Sequence, residues 1–325
     1  MTQTHDVSKV SIGPRPTAFE RYILAPFGGV TRLTEEVLRF HLAFRSGIRV
    51  WLQAHEAAAT NLSVILRSGV VYSSVTFRDL DLISLFAKNH SEHLPVWHSD
   101  GPDVVTFNAP STNGPILVEM IWPRNEGELG IFPRHDYSWL TVRDHEVVDI
   151  GASIGDSAIY FALAGASHVI AVEPFTQAFQ VARKNVYANK LGGVISLCRV
   201  AIAGSRGRTQ LPEHQAGTVA VRASESHGDL DTDLLTLEDL TDALSDPQAR
   251  LKIDCEGDEY DILFSTNRQT LRRYARILIE YHYGGSVLKR HLRAAGFKVR
   301  GFPPFRYLRD PDPNHAFGLL YCDRQ

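Results

Sequence analysis

The run Val147-Val148-Asp149-Ile150-Gly151-Ala152-Ser153-Ile154-Gly155-Asp156, followed by Val169-Ile170-Ala171-Val172-Glu173-Pro174, constrains the fold more than any other part of this chain. Its pattern predicts a buried strand, a tight glycine turn, a helix, and a second buried strand ending in an acid. Units of this kind build open α/β sheets, in which ligands sit at the carboxyl ends of parallel strands. The plain alternative is an ordinary strand–helix–strand unit whose turn caps the helix and binds nothing.

The details of the turn choose between cofactors. A dinucleotide fingerprint reads G-x-G-x-x-G; counted from Gly151, the third position is Ser153 and the sixth is Asp156. The second glycine of that fingerprint lets backbone approach a pyrophosphate, and an acid near a diphosphate is unfavourable. S-adenosylmethionine carries no phosphate, and its amino-acid end presents an ammonium and a carboxylate. Asp149 can meet the ammonium, directly or through water, and backbone N–H groups at the helix start can meet the carboxylate. Glu173, 24 residues after Asp149 at the tip of the next strand, stands where an acid accepts hydrogen bonds from both ribose hydroxyls.

Composition narrows the class without naming it. The 325 residues allow one large or two modest domains. With 44% hydrophobic and 22% charged residues the chain reads as globular, and a formal charge of −3 gives no electrostatic case for nucleic acid or an anionic membrane. No apolar run approaches the roughly 18 residues of a membrane span, and residues 1–9 lack the apolar core of a signal peptide. Cys198, Cys255 and Cys322 are widely spaced with no C-x-x-C, which points to a reducing compartment, with the cytoplasm as the expected location, and to no zinc ribbon.

Along the chain, residues 1–15 read as a loose arm. Thr34-Glu35-Glu36 predicts a helix start, running to Arg45 and stopping at Gly47. Residues 48–53 and 62–67 read as strands, with Ser68-Gly69 turning the latter into Val70-Val71-Tyr72, and 80–88 as a helix. Residues 95–130, rich in Pro, Gly, Asn and Ser, read as irregular strands and loops. From Val147 the pattern becomes regular. Strands are expected at 147–150, 168–172, 195–202, 250–254 and 276–280, and helices at 156–164, 176–189, 260–266, 269–274 and 286–295. Residues 297–301 and 316–321 close the chain as two further strands. A polar insert at 204–246 carries a candidate hairpin of 208–211 with 218–222, and a short helix from Thr236. Near-continuous apolar strands alternating with helices imply a doubly wound, mostly parallel sheet.

The second dense stretch is Leu251-Lys252-Ile253-Asp254-Cys255-Glu256-Gly257-Asp258-Glu259. If the strand stays regular, Lys252, Asp254 and Glu256 share one side. The next strand ends Ile279-Glu280-Tyr281-His282, with Glu280 and His282 on one side. In an open sheet all these ends meet in one crevice beside the cofactor. Methyl transfer to oxygen or nitrogen needs an in-line nucleophile, a proton acceptor and exclusion of water, and Asp254, Glu256, Glu280 and His282 are the candidates for base or substrate anchor. Two carboxylates and a histidine could instead hold magnesium or manganese and lower a hydroxyl pKa; nothing beyond donor chemistry supports this, and no metal ligand set is assigned. Each charge also has a structural reading, an ion pair with Lys252 or a nearby arginine. Cys255 reads as a small, inert, buried side chain. His90, His93 and His98 read as a solvated loop, and Tyr72-Ser73-Ser74 and Tyr137 fit packing and substrate contact equally.

Together the two stretches resemble the FkbM-type S-adenosylmethionine-dependent methyltransferases, over about residues 147–297. The first motif is Val148 to Asp156, with Ser153 where the family more often has Asn. The acid-proline motif is Glu173-Pro174, a Lys-Asn pair matches Lys184-Asn185 with Asn189 a turn later, and the Lys-Ile-Asp-x-Glu-Gly-x-Glu motif matches Lys252, Ile253, Asp254, Glu256, Gly257 and Glu259. The resemblance implies a Rossmann-like methyltransferase domain over 141–325, its mostly parallel sheet ending in an antiparallel strand. An N-terminal α+β extension over 1–140 would precede it, with substrate binding or oligomerisation as its roles. The resemblance carries over Asp149, Gly151, Ser153, Gly155 and Glu173 as cofactor contacts and Asp254 and Glu256 as active-site residues; the expected cofactor-binding set also includes Ala152, Asp156, Ser157 and Pro174.

The expected function is S-adenosylmethionine-dependent methylation of a hydroxyl on a sugar, glycolipid or secondary metabolite. The expected partners are a small-molecule or glycan acceptor and no nucleic acid; a homo-oligomer is left open. The alternatives are an NAD-dependent sugar-modifying oxidoreductase, against which Ser153 and Asp156 argue, and a non-catalytic cofactor-binding scaffold.

Overall fold

The structure, a computed structural model, describes residues 25–55, 62–89, 94–98, 104–122, 129–211, 230–306 and 314–325. The expected arm at 1–15, the strand at 218–222, and His90 and His93 lie outside them; of His98 only the backbone is described.

Helices α1 (Ala25–Ala43) and α2 (Gly47–His55) meet at a corner where Ser46 takes φ 57° and a Cβ on Gly47 would lie 2.1 Å from the Phe40 carbonyl oxygen. Two expectations are corrected here. α1 begins before Thr34, whose hydroxyl donates back to the Val30 carbonyl at 3.0 Å rather than capping a helix start. Residues 48–53 are helical, not extended: Ile48 and Leu52 are also four apart, and over so short a run a two-residue alternation imitates a helical face. The Trp51 indole N–H donates to Glu36 at 2.7 Å and ties α2 to α1. Strands β1 (Leu62–Ile65) and β2 (Val71–Val75) form the hairpin expected across Ser68-Gly69. With helix α3 (Phe77–Asn89) they enclose an apolar cluster of Phe40, Phe44, Leu66, Leu80 and Ile83.

The stretch expected to be irregular holds a regular antiparallel sheet of β3 (Val96–His98), β4 (Val104–Ala109) and β5 (Ile116–Ile121). Burial alternates along β4, with Val105, Phe107 and Ala109 inside. The period is present; the turn-forming residues around it obscured it. A short helix α4 (Ile131–Arg134) then leads into the larger sheet.

That sheet starts with β6 (Glu146–Ile150), α5 (Asp156–Leu163), β7 (His168–Val172), α6 (Thr176–Ala188) and β8 (Ile195–Cys198). The single strand expected over 195–202 is broken. β9 (Ala201–Ile202) leaves the sheet edge for a small sheet with β10 (Gly207–Leu211) and β11 (Leu230–Leu235), and Arg199 reaches the Thr232 hydroxyl there at 3.4 Å. Then come α7 (Leu237–Asp242), capped by the Thr236–Asp239 box, β12 (Ala249–Ile253), α8 (Glu259–Ser265), α9 (Arg268–Leu271), β13 (Tyr274–Tyr281), α10 (Ser286–Ala294), β14 (Phe297–Gly301) and β15 (Gly318–Arg324).

The strand order is β14-β15-β13-β12-β6-β7-β8, parallel except for β15, which runs antiparallel to both neighbours. Strand order reverses between β6 and β12, so the crevice opens beyond their carboxyl ends. One face of the sheet packs Leu237, Tyr260, Leu263, Leu271, Leu288 and Leu292 from α7 to α10. The other packs Ala158, Ile159 and Phe161 of α5 together with Phe107, Met120 and Phe132, so a single core runs from β4 and β5 through to the sheet. Among the described residues no helix is long and apolar enough to cross a membrane.

Asn185 of α6 and Asn189, which caps its end, join these layers. The Asn185 side chain accepts from Ile121 N at 2.7 Å and donates to Ile121 O at 3.0 Å and Ile154 O at 2.9 Å, and is fully buried. One turn on, Asn189 accepts from Glu119 N at 3.1 Å and donates to Glu119 O at 2.7 Å. The side-chain amides act as a surrogate strand for the edge of β5, whose backbone groups need partners. Asn185→Ala should cost about 2–4 kcal/mol in urea unfolding, because it leaves buried backbone groups unsatisfied, and Asn189→Ala only about 1 kcal/mol, because its bonds to Glu119 are exposed to water. Equal losses would show that burial does not set the strength of this seam.

Candidate active site at the sheet switch point

The turn after β6 is held open by backbone geometry that few residues tolerate. Gly151 has φ 80°, and a Cβ there would lie 1.7 Å from the Asp254 carbonyl oxygen. The end of β6 and the end of β12 are therefore in direct backbone contact. Ser153 takes φ 46° and Gly155 φ 85° before α5 begins. Non-glycine residues in this region are uncommon and gather at functional turns.

Beneath the turn is a buried ion pair. Lys252 Nζ lies 3.2 Å from Asp149 Oδ1 and donates to the Gly151 carbonyl at 2.7 Å; Asp254 Oδ2 stands 3.7 Å away. The Ser157 hydroxyl donates to Asp149 Oδ2 at 2.6 Å. Burial disfavours the Lys252 charge, but Asp149, Asp254 and Asp156 outweigh burial and raise its pKa. Asp149 has no exposed surface; its Oδ2 accepts from the Ser157 hydroxyl, while its Oδ1 faces the Lys252 ammonium without a hydrogen-bond partner.

Around the turn, Glu173 Oε2 accepts from Ser153 N and Oε1 from Phe175 N, both at 2.9 Å. The acid at the tip of β7 is therefore joined to the strained turn. Ala152 is fully buried, Asp156 and Ser157 are buried in the first turn of α5, and Pro174 is half-buried beside Glu173.

The third group lies where β12 and β13 end. The chain leaves β12 with Glu256 at φ 57° and Gly257 at φ 113°. His282, 3% exposed, stands between three carboxylates. Its Nδ1 lies 3.1 Å from Glu259 Oε1, and its Nε2 lies 3.1 Å from Glu256 Oε2 and 3.9 Å from Asp254 Oδ1. Glu259 is fully buried and also accepts from His282 N at 2.9 Å and Gly257 N at 2.7 Å. Burial pushes the His282 pKa down, but Glu259 and Glu256 more than reverse this and raise it well above its ordinary value. Burial raises the Asp254 carboxyl to about 6, opposed by Lys252 and reinforced by Glu256. Burial alone would raise Glu256; His282 holds it below its ordinary value. Cys255 is pushed up by burial, in keeping with an inert thiol.

Glu280 is half-buried, and its charge bears on Tyr137 together with that of Asp254. Tyr137 is buried, its ring 6.0 Å from Tyr160 and 5.5 Å from Phe161, and burial followed by Asp254, Glu280, Asp156 and Asp149 drives its hydroxyl pKa up. Its hydroxyl thus keeps its proton, and the residue comes from ahead of β6. Phe317 lies 5.4 Å from the His282 ring and His315 4.9 Å from Phe317, walling the opposite side. Among the residues weighed in the sequence, Asp254, Glu256 and His282 converge, and Glu259 is the buried post that positions them. The period-two spacing reached Asp254 and Glu256 but not Glu259, which the start of α8 brings back beneath the cluster.

Removing Lys252 should leave Asp149 charged and uncompensated in the interior. Lys252→Met should cost about 3–5 kcal/mol in urea unfolding, and adding Asp149→Asn should recover at least half of that. A single-variant loss below about 1 kcal/mol would mean that the pair does not hold the turn.

Residues 149–299 match the family model described as Methyltransferase FkbM domain. A search of curated proteins finds no match. Similar solved structures include the methyltransferase FkbM from Methylobacillus flagellatus KT, at 16% identity and TM-score 0.37, covering 55% of this chain and 43% of that chain. The METTL16 MTase domain is similar at 14% identity and TM-score 0.43, covering 81% and 87%. An rRNA methylase from Streptococcus thermophilus is similar at 13% identity and TM-score 0.37, covering 60% and 96%. This chain thus spans less than half the length of the Methylobacillus protein. The seven-stranded sheet with its flanking helices is a Rossmann-like methyltransferase fold.

Proposed function

We propose, from the premise that residues 149–299 form a methyltransferase FkbM domain, that this chain binds S-adenosylmethionine and methylates a hydroxyl group of a sugar, glycolipid or secondary metabolite. The reading is supported by one observation: the strained turn is joined to both acid-bearing strand ends, by Gly151 against Asp254 and by Ser153 against Glu173. The donor set suits that cofactor. A carboxylate offers about four acceptor positions, enough for Glu173 to serve the turn and a pair of ribose hydroxyls. The negative charge around Lys252 suits a ligand that is itself cationic. We assign Gly151, Ala152, Ser153, Gly155, Asp156, Ser157, Glu173 and Pro174 to the wall of the cofactor site, with Asp149 supporting it from below.

When bound, S-adenosylmethionine would supply a methyl group made electrophilic by its sulfonium. Asp254 takes the hydroxyl proton, because its carboxylate is partly exposed and burial raises its pKa to about 6. Glu256 orients the hydroxyl. His282, set between Glu259 and Glu256, positions both carboxylates. Tyr137 and Glu280 line the acceptor side, and the aromatic wall of Phe317 and His315 helps to exclude water. A non-nucleic-acid acceptor is consistent with a net charge of −3 over the whole chain.

Calorimetric titration should give saturable S-adenosylmethionine binding and none for NAD, and Glu173→Ala should abolish it. With S-adenosylhomocysteine release measured over a panel of alkyl glycosides, Asp254→Asn should lower turnover about 100-fold while cofactor affinity changes only a few-fold. Unchanged turnover in Asp254→Asn would remove it as the proton acceptor, and saturable NAD binding would favour the oxidoreductase reading.

A further inference from the structure

The cluster at the ends of β12 and β13 has the donor set and outer support of a metal site. One ligand atom from each of Asp254, Glu256 and His282 lies within 4.8 Å of the others. The His282 Nε2 to Glu256 Oε2 separation is 3.1 Å, close to the roughly 3 Å between adjacent ligands of an octahedral ion with bonds of about 2.1 Å. Asp254 stands somewhat further out, at 3.9 Å. The side chains of Asp254 and Glu256 are 26% and 42% exposed, so modest rotation draws them in, whereas the buried histidine is fixed.

The fixing is the second and independent observation. Histidines that bind metals through one ring nitrogen regularly donate from the other to a carboxylate, which sets tautomer and ring orientation. Glu259 occupies that position on Nδ1 at 3.1 Å, is itself wholly buried, and is anchored by two backbone N–H groups. Nε2 is thereby directed at Asp254 and Glu256. The charge balance points the same way. Asp149, Asp254, Glu256 and Glu259 stand against Lys252 and His282, and Lys252 is closest to Asp149.

We propose that Asp254, Glu256 and His282 bind a hard divalent cation of the magnesium or manganese class, with Glu259 as the carboxylate behind the histidine. The ion replaces the proton on His282 Nε2, and two carboxylates with one imidazole leave about three positions of an octahedral shell for water or for acceptor oxygens. Resting on the methyl-transfer reading above, this deepens it: Asp254 would hold the ion through one oxygen and take the proton of a coordinated, more acidic acceptor hydroxyl on the other, and a pair of adjacent hydroxyls would chelate the ion. The acceptor class then narrows to vicinal diols, as sugars present.

The test is a Mn2+ titration of the chelator-treated full-length chain followed by electron paramagnetic resonance, without cofactor or acceptor. We expect one saturable site, displaced by excess Mg2+ and weakened at least tenfold in Glu256→Gln, a partly exposed position whose fold can be checked by circular dichroism. Glu259→Gln, if folded, should weaken it about 10- to 100-fold. Absence of saturable Mn2+ binding, or equal binding by wild type and Glu256→Gln, would overturn the metal site and leave the cluster a salt-bridge network. S-adenosylmethionine titration of the same chelated sample reads the other hypothesis separately: cofactor binding without Mn2+ binding rejects the cation alone, and Mn2+ binding without cofactor binding supports the cation while rejecting the methyl-transfer reading.

Discussion

The pair formed by Lys252 and Asp149 is the constraint on which the rest of this site depends. Lysine and aspartate are rarely buried unless paired, and here they are paired across two neighbouring strands in register, Lys252 opposite Asp149. The ammonium also takes the Gly151 carbonyl. One side chain therefore fastens the end of β12 to the end of β6, at the place where the strand order reverses. Any crevice in this sheet must open there, and the pair sets how far apart its two lips stand.

The strand–turn–helix at Val147 to Asp156 was legible because several levels agree: apolar runs for buried strands, glycines at positive φ, an acid closing the following strand. The cluster after Lys252 was legible as chemistry, since four charges at the end of an apolar strand require a reason. The failures lie where local pattern and tertiary context part. Residues 48–53 fit either period, and the Trp51 to Glu36 contact that settles them is not local. The strand expected at 195–202 breaks because β8 is the edge of its sheet, free to hand the chain on to another. Glu259 stood in the charged motif without a role; its place comes from the turn at Glu256 and Gly257, which sets it beside His282.

The residues ahead of β6 are part of the same physical object. Phe107, Met120 and Phe132 share a core with α5, and Asn185 joins β5 to the turn itself through the Ile154 carbonyl. Tyr137 follows from this packing: its ring is held by Tyr160 and Phe161 while its hydroxyl feels the carboxylates of the crevice. No motif marks it. A tyrosine in an apolar surrounding reads as core until the strands that carry the acids are placed beside it.

The charges of the site divide by depth, and depth sets what each can do. Asp149, Lys252 and Glu259, fully or almost fully buried and bonded to backbone or to one another, cannot move without leaving a charge unpaired, so they serve geometry. Asp254 and Glu256 keep exposed surface and can exchange partners at small cost. His282 joins the two classes, one nitrogen turned to the fixed acid and the other to the mobile pair. A site built this way anchors the histidine while leaving two partly exposed carboxylates able to change partners. That explains why so much charge gathers at the end of a strand whose other residues are buried.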